Sequence, residues 1–325
     1  MTAKSNDDTL VTIYGGSGFL GRHLVRALAK RGYRIRVAVR RPELGFHLQP
    51  LGKVGQIHAV QANIRDARSV EAAARGASVL INLVGILQEG GRQRFDAVHA
   101  EGAERVALAA KAVGARMVHV SAIGADENSE VGYARSKGAA ERLVRAAQPD
   151  AIIMRPSILF GPEDDFFNRF AALARMSPVL PLIGGGHTKF QPVFVGDVAA
   201  AIADAVDGRL NAGTTYELGG PNVYTFKELM QYILTTIGRR RLLVPLPFFA
   251  AKIKALFLQF APSPLTLTPG QVDMLRTDNV VSDAAIAEKR TLPGIGISPE
   301  PVEAIVPSYL WRFRRTGQFK SHTTA

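Results

Sequence analysis

Short runs of consecutive apolar residues alternate along the first half of the chain with stretches whose apolar positions recur every three or four residues. Val11–Tyr14, Ile35–Val39, Gln56–Val60, Val79–Gly85 and Arg116–Ser121 read as strands of a parallel sheet buried on both faces. Ala151–Pro162 supplies a sixth strand and a turn. Leu24 and Leu28 set a helical spacing within Arg22–Lys30, and further helices are predicted over Ala67–Arg75, Arg94–Val113 and from Tyr133 to about Ala147. This alternation predicts an α/β fold with a doubly wound parallel sheet. Beyond residue 160 the rhythm loosens. Phe190–Val195 leads to a helix expected to be capped by Asp197, Thr215–Leu218 gives another strand, and Thr225 caps a helix over Phe226–Ile237. The expected organisation is a flexible N-terminus (1–9), a domain over 10–160 whose sheet is completed by segments near 188–220, and a smaller mixed α/β region over 161–325.

The first strand runs straight into Gly15, Gly18 and Gly21, and then into a helix. In that context the triplet carries a mechanism of the Rossmann type. Gly15 permits a tight turn, Gly18 lets the backbone approach a pyrophosphate, and Gly21 lets the helix pack closely. The helix start at Phe19 and Leu20 offers unpaired N–H groups to the anion. A dinucleotide is expected here.

Other positions follow from where the strands end. Arg40 and Arg41 close the second strand with no acidic residue before Glu43. An acidic residue there would accept from the ribose 2′-hydroxyl of NAD, whereas arginine pairs with the 2′-phosphate of NADP. The same arginines also fit a solvated basic strand end. The reading favours NADP(H) over NAD(H). Asn63 and Ile64 follow the third strand near the expected adenine, and Asp66 caps the next helix. Val84 and Gly85 end the fourth strand, with the glycine leaving room for the cofactor; Pro156 and Ser157 are placed under the nicotinamide. Ser121 ends the fifth strand, and Tyr133 and Lys137 follow 12 and 16 residues later on one helical face. An ammonium beside a phenol lowers its pKa and suits it to proton transfer. Tyr-x-x-x-Lys also occurs at ordinary helix starts.

Composition narrows the classes. Apolar residues make up 47% of the 325-residue chain, which indicates a globular fold. No uninterrupted apolar stretch is long enough to span a bilayer, and the first residues lack a secretory h-region. With no cysteine and seven scattered histidines, no metal site is expected. The net charge is +12. Residues 1–150 hold 22 Lys and Arg against 14 Asp and Glu (+8), and the rest 18 against 14 (+4). No nucleic-acid-binding motif accompanies the basic balance, so a phosphate-rich cofactor, an anionic membrane surface or an acidic partner explains it.

The order of the glycine triplet, Tyr133–Lys137, Arg155-Pro156-Ser157 and Gly196-Asp197-Val198-Ala199 resembles an atypical short-chain dehydrogenase/reductase. The wording of Ile152–Asp164, Gln191-Pro192-Val193, Pro245–Ala250 and Leu292–Gly296 is similar to the nucleotide-binding accessory subunits of respiratory complex I. That resemblance covers about residues 10–315. It implies NADPH held structurally, complex I subunits near the membrane junction as partners, and a peripheral place on the cytoplasmic face of a bacterial inner membrane. Active relatives often carry a second hydroxyl where this chain has Ala122 and Ile123, so turnover is left open, with Ser121, Tyr133 and Lys137 as the candidate catalytic residues. The alternative is a free, soluble NAD(P)H-dependent oxidoreductase, dehydrogenase or epimerase. One last stretch bears on partners. Over 249–260, Phe249, Ile253, Leu256, Phe257 and Phe260 share a helical face between Pro247 and Pro262. The face fits packing on its own domain, or a membrane surface or hydrophobic subunit.

Overall fold

A computed structural model describes residues 6–261 and 264–317. Seven strands form one parallel sheet: β1 (Leu10–Tyr14), β2 (Arg34–Val39), β3 (Ile57–Gln61), β4 (Val79–Asn82), β5 (Arg116–Val120), β6 (Ile152–Pro156) and the strand Thr215–Leu218. From one edge the order is Thr215–Leu218, β6, β5, β4, β1, β2, β3, a doubly wound arrangement that reverses direction beside β1. The register pairs Ile13 with Val37 on one side and with Ile81 on the other. These are β-branched residues with no exposed face, as a central parallel strand requires.

The α-helices of eight residues or more among the described residues are α1 (Phe19–Lys30), α2 (Ala67–Ala74), α3 (Glu101–Val113), α4 (Gly132–Ala147), α5 (Phe166–Met176), α6 (Val195–Val206), α7 (Phe226–Thr236) and α8 (Phe248–Leu258). α1 packs with α6, while α2, α3 and α4 pack side by side. Tyr14, Leu80 and Met117 carry one face of the sheet into the second layer, where Val70, Val106 and Val144 meet them. Each fully buried aliphatic side chain of this kind contributes about 1.5–3 kcal/mol relative to exposure. Asp66 caps α2 by accepting from the Arg68 N–H.

The chain divides into two units. The first comprises Met1–Pro156, Val195–Leu218 and Ser282–Ser298. The second comprises Ser157–Phe194, Gly219–Val281 and Pro299–Ala325. The first unit thus ends at Pro156 rather than at 160 and takes back Val195–Leu218, within the segments near 188–220 expected to complete its sheet, and also 282–298, which no expectation covered. The reason is visible at the sheet edge, where Glu217 N–H donates to Arg290 O and Arg290 donates to Thr215 O. A late segment covers the strand that would otherwise present free backbone groups.

The second unit builds its own core from Phe160, Phe167, Phe190, Phe226, Met230 and Ile233. Three short strand pairs frame it, including a parallel pair of Val179–Ile183 with Leu242–Leu246. Tyr309 donates to the buried Asp164 carboxylate within it. Thr225 and Glu228 form a reciprocal cap at α7.

Several boundaries differ from the sequence reading. α6 starts at Val195, so Asp197 lies in its first turn and does not cap it; the turn begins directly on the apolar Val193–Phe194 strand. β4 stops at Asn82: Leu83 N–H still donates to Tyr14 O, and the Asn82 side chain accepts the Val84 N–H. β6 ends at Pro156, which cannot donate to a ladder, and Leu159–Phe160 pairs separately with Val193–Phe194. The 249–260 helix is α8, with Gln259 and Phe260 just past its end; Pro262 lies outside the described residues. Of the N-terminal 1–9, residues 1–5 lie outside them too, and Asn6–Asp8 is one 3₁₀ turn tied down by Asn6 Nδ2 donating to Arg31 O.

Candidate functional site

The turn between β1 and α1 closes on two short hydrogen bonds, Gly15 N–H to Ala38 O at 3.0 Å and Gly18 N–H to Gly15 O at 3.1 Å. Gly15 sits at φ +83°, a conformation that disfavours a side chain, and a Cβ there would press on Val84 at 3.2 Å. At Gly21 a Cβ would come within 2.4 Å of Gly16 O, so α1 packs on the turn at a separation only glycine allows. Gly18 caps α1 with no side chain, and a Cβ there would meet only Gly15 O, at 3.3 Å. Steric closeness thus belongs to Gly15 and Gly21, whereas Gly18 keeps a helix N-terminus bare. The first-turn amides of Phe19, Leu20 and Gly21 carry orphan donors and partial positive charge, the arrangement that suits an anion at a helix N-terminus.

Arg40 and Arg41 are both exposed just past β2. Asn63 is half-buried, and its Oδ1 accepts the Arg65 N–H at 3.1 Å, so its side chain is engaged in its own turn. Ile64 is 7% exposed and packs against Gly102 of α3, where a Cβ would lie 3.0 Å from it. The side chain of Ile64 therefore serves the core, and what β3 leaves for an adenine at this point is backbone.

Around Tyr133 and Lys137 the first unit buries a set of polar side chains. Asn82 Oδ1 accepts the Val84 N–H at 3.1 Å, and Asn82 Nδ2 lies 3.2 Å from His119 Nδ1. His99 Nε2 accepts the Ile86 N–H at 2.9 Å, which leaves its proton on Nδ1, 2.8 Å from Ser136 Oγ. Ser136 Oγ in turn donates to Tyr133 O at 2.8 Å. One histidine thereby ties the loop after β4 to the first turn of α4. Lys137 Nζ donates to Val120 O at 3.2 Å. A Cβ on Gly85 would lie 3.4 Å from Lys137 Nζ and 3.7 Å from His99 Nε2, so the bare glycine opens onto both. His119 Nε2 and Ser121 Oγ are buried without a hydrogen-bond partner among the described residues.

The electrostatics follow from burial. Lys137 is pushed down to about 8 by desolvation, against a smaller upward pull from Glu141. Desolvation, then the Lys137 charge, holds His99 and His119 down at about 3, so both are neutral at physiological pH. Tyr133 is pushed up to about 12 by burial. The expected lowering of the phenol by the ammonium is thus absent: dehydration alone sets the direction of the shift. Near neutral pH the phenol is a proton donor.

Ser121, Val84, Gly85 and the glycine turn stand at the carboxyl ends of their strands in the first unit, as does Pro156, whose carbonyl accepts the Ile123 N–H; Lys137 reaches the end of β5 from α4, one turn after Tyr133. Ser157 begins the second unit, and its hydroxyl lies 2.6 Å from Asn279 Oδ1. A nicotinamide dinucleotide fits the first unit on three observations: the bare cap at Gly18, the opening at Gly85, and the orphaned polar atoms of His119 and Ser121. Asn82, His99, His119 and Ser136 were missed as site residues. The only signal for them is a polar side chain inside an apolar run, at Asn82 and His119.

Residues 11–219 match the model of the NAD dependent epimerase/dehydratase family. Over 320 residues the chain is 38% identical to NADH dehydrogenase (ubiquinone) 1 alpha subcomplex subunit 9, mitochondrial, of Arabidopsis thaliana, covering 95% of this chain and 79% of that relative. It is 35% identical over 289 residues to a ceramide reductase of Caulobacter vibrioides, covering 86% and 88%. Among solved structures, NADPH-dependent quinone oxidoreductase QOR2 of Escherichia coli, complexed with NADPH, superposes with a TM-score of 0.73 at 21% identity over 93% of this chain and 99% of that one, a likeness of fold.

Proposed function

We propose that this chain, which belongs to the NAD dependent epimerase/dehydratase family, is a nicotinamide-dinucleotide-binding accessory subunit of a membrane-attached NADH:ubiquinone oxidoreductase. The observation that carries the reading is similarity to the Arabidopsis alpha subcomplex subunit 9, 38% identity over 95% of this chain and 79% of that relative. Gly15, Gly18, Phe19, Leu20 and Gly21 hold the pyrophosphate, and Arg40 with Arg41 takes the adenosine ribose. Arg40 favours NADPH, because no carboxylate stands there to accept from a 2′-hydroxyl. Val84, Gly85 and Pro156 border the nicotinamide end, with Asn63 and Ile64 along the adenine and Ser157 following Pro156.

When bound, the dinucleotide supplies hydride chemistry. The chain's own residues do the holding: Lys137 and Tyr133 hydrogen-bond the nicotinamide ribose, and His99 keeps the Ile86 loop docked on α4. Little or no turnover is expected. No described helix is long and apolar enough to cross a membrane. We place the chain peripherally, on the cytoplasmic face of a bacterial inner membrane, with the exposed face of α8 turned to its partners. The test is isolation of membranes in mild detergent: the chain co-migrates with NADH:ubiquinone oxidoreductase and carries NADPH, and its absence from the complex overturns the reading.

A second reading, a free NAD(P)H-dependent ketone reductase, is favoured by 35% identity to a ceramide reductase together with the buried Tyr133 and Lys137. NADPH oxidation by the isolated protein against long-chain ketones, quinones and sugar nucleotides, lost in Tyr133→Phe, would establish it.

A further inference from the structure

The second unit gathers arginines where no carboxylate answers them. Arg239 and Arg241 follow α7, Arg175 ends α5, and Arg314 and Arg315 lie near the C-terminal end of the described chain. Three of the five are pinned at Nε to a backbone carbonyl: Arg239 to Phe313 O at 3.2 Å, Arg241 to Ala174 O at 2.7 Å and Arg314 to Thr236 O at 2.8 Å. The Arg175 guanidinium stands 6.0 Å from the Phe313 ring centre. Partial burial, then the like charges of Arg241, Arg315 and Arg175, push the Arg239 pKa down. None of these five forms an ion pair among the described residues. Pinning through Nε fixes a guanidinium. Among the described residues the terminal nitrogens of Arg239 and Arg314 stay available, while one of Arg241 donates to Arg240 O at 3.1 Å; fixed forks of that kind match phosphate oxygens.

The neighbours of these arginines are apolar and uncovered. Met176, next to Arg175, is 62% exposed, and Leu242, next to Arg241, is 68% exposed. The same run of chain continues into α8, where Phe249 and Phe257 are 69% and 76% exposed. A soluble acidic protein would answer the charge but leave the apolar side chains in water. An anionic bilayer surface answers both, since basic residues meet headgroup phosphates while aromatic and aliphatic side chains enter the interface.

We infer that Arg175, Arg239, Arg241, Arg314 and Arg315 form a phosphate-headgroup site that seats the second unit on an anionic lipid surface. The inference extends the membrane-side place proposed above and rests on it.

Flotation of the cofactor-loaded full chain with phosphatidylcholine vesicles, with or without phosphatidylglycerol, tests the site. The chain floats with the anionic vesicles at least tenfold better, and raising salt from about 0.1 M to about 1 M, which shortens the screening length from about 10 Å to about 3 Å, abolishes the preference. Arg175→Gln/Arg315→Gln removes two exposed charges that hold no backbone carbonyl. It lowers anionic-vesicle binding by about fivefold per charge, on the order of 25-fold in total. Its melting temperature stays at the wild-type value. Equal flotation with both vesicle types, or a double variant that binds as the wild type does, overturns the inference. Co-migration with NADH:ubiquinone oxidoreductase is scored separately on the wild type. Its failure alongside retained flotation removes the accessory-subunit reading alone; retained co-migration without flotation removes the lipid site alone.

Discussion

Helices α4 and α8 break the ordinary rule of burial in opposite directions. α4 hides Ser136, Lys137 and Glu141, at 1%, 5% and 7% exposure. α8 hides only Ala251 and Ala255 and leaves Phe249, Ile253, Leu256 and Phe257 more than half exposed. Apolar residues are common on protein surfaces, but buried charges and a contiguous exposed aromatic face are not. Each inversion costs free energy in the isolated chain, so each marks a place where something outside it restores the balance. On the proposed function that something is a dinucleotide beside Lys137 of α4, whose Glu141 is already answered by Arg155, and a partner or a lipid surface for α8. The two also differ in kind. α4 must keep its groups aligned within one unit, whereas α8 needs only to keep its face clear.

The largest effect is expected where α4 depends on its own network. Glu141 accepts from Arg155 at 2.9 and 2.7 Å, with Glu217 completing the cluster at 3.5 Å. Glu141→Ala leaves Arg155 short of its bidentate partner and should destabilise the chain by about 3 kcal/mol or more in urea unfolding. A loss below about 1 kcal/mol, within the range of ordinary surface substitutions and their neighbours, would mean that the buried charges of α4 are passengers.

Acid should strike the same region next. His99 and His119 have folded pKa values near 3, far below that of a free imidazole. In the window between about 6.5 and 3 the unfolded chain therefore binds more protons than the folded one, and stability falls as pH falls. The loss should be on the order of a few kcal/mol by pH 4, and His119→Gln should remove about half of it. A pH profile of melting that is flat from 7 to 4 would contradict this assignment.

Lys137 gives a smaller effect of mixed sign. Its folded pKa is depressed to about 8, so at neutral pH its charged form disfavours folding, and that penalty lifts as pH rises above 8. Lys137→Met should leave the cofactor-free chain at least as stable as the wild type. The same variant should weaken NADPH by the worth of one charge-assisted hydrogen bond, about 1.5–3 kcal/mol. Calorimetry and melting on the same samples check the two signs against each other; a variant that is both unstable and tight-binding is incompatible with the site.

How far the sequence carried these contrasts depends on the range of the cause. The glycine turn, the strand–helix alternation, the Asp66 cap and the Thr225 cap are local, and each was legible. So was the face of α8, because helical periodicity is a property of neighbours. Its exposure was not, since periodicity is the same whether the stripe meets a core or water. The histidine pair was illegible for a different reason: His99 meets Ser136 across 37 residues, and Asn82 meets His119 across another 37. Residues 282–298 joined the first unit through a sheet edge contact that no run of their own announces. Ile64 shows the remaining limit: its place just after the third strand was legible, and its side chain's burial in the core was not.

The smallest effect on the folded chain should come from α8, and its smallness is what makes it informative. Phe257 is 76% exposed, so Phe257→Ser gives up little burial and should change stability by no more than about 0.5 kcal/mol. If the face were packed on its own unit, the same change would cost about 3–5 kcal/mol, as aromatic truncation in a core does. The readout that should move is association. Phe249→Ser/Phe257→Ser is expected to keep full NADPH load and melting temperature while the chain is depleted from the detergent-solubilised complex. Cofactor and docking would then separate cleanly between the two helices, since Lys137→Met should lose the first and leave the second largely in place. A serine pair that assembles as well as the wild type would mean that the exposed aromatic face of α8 is not what holds the chain to its partners.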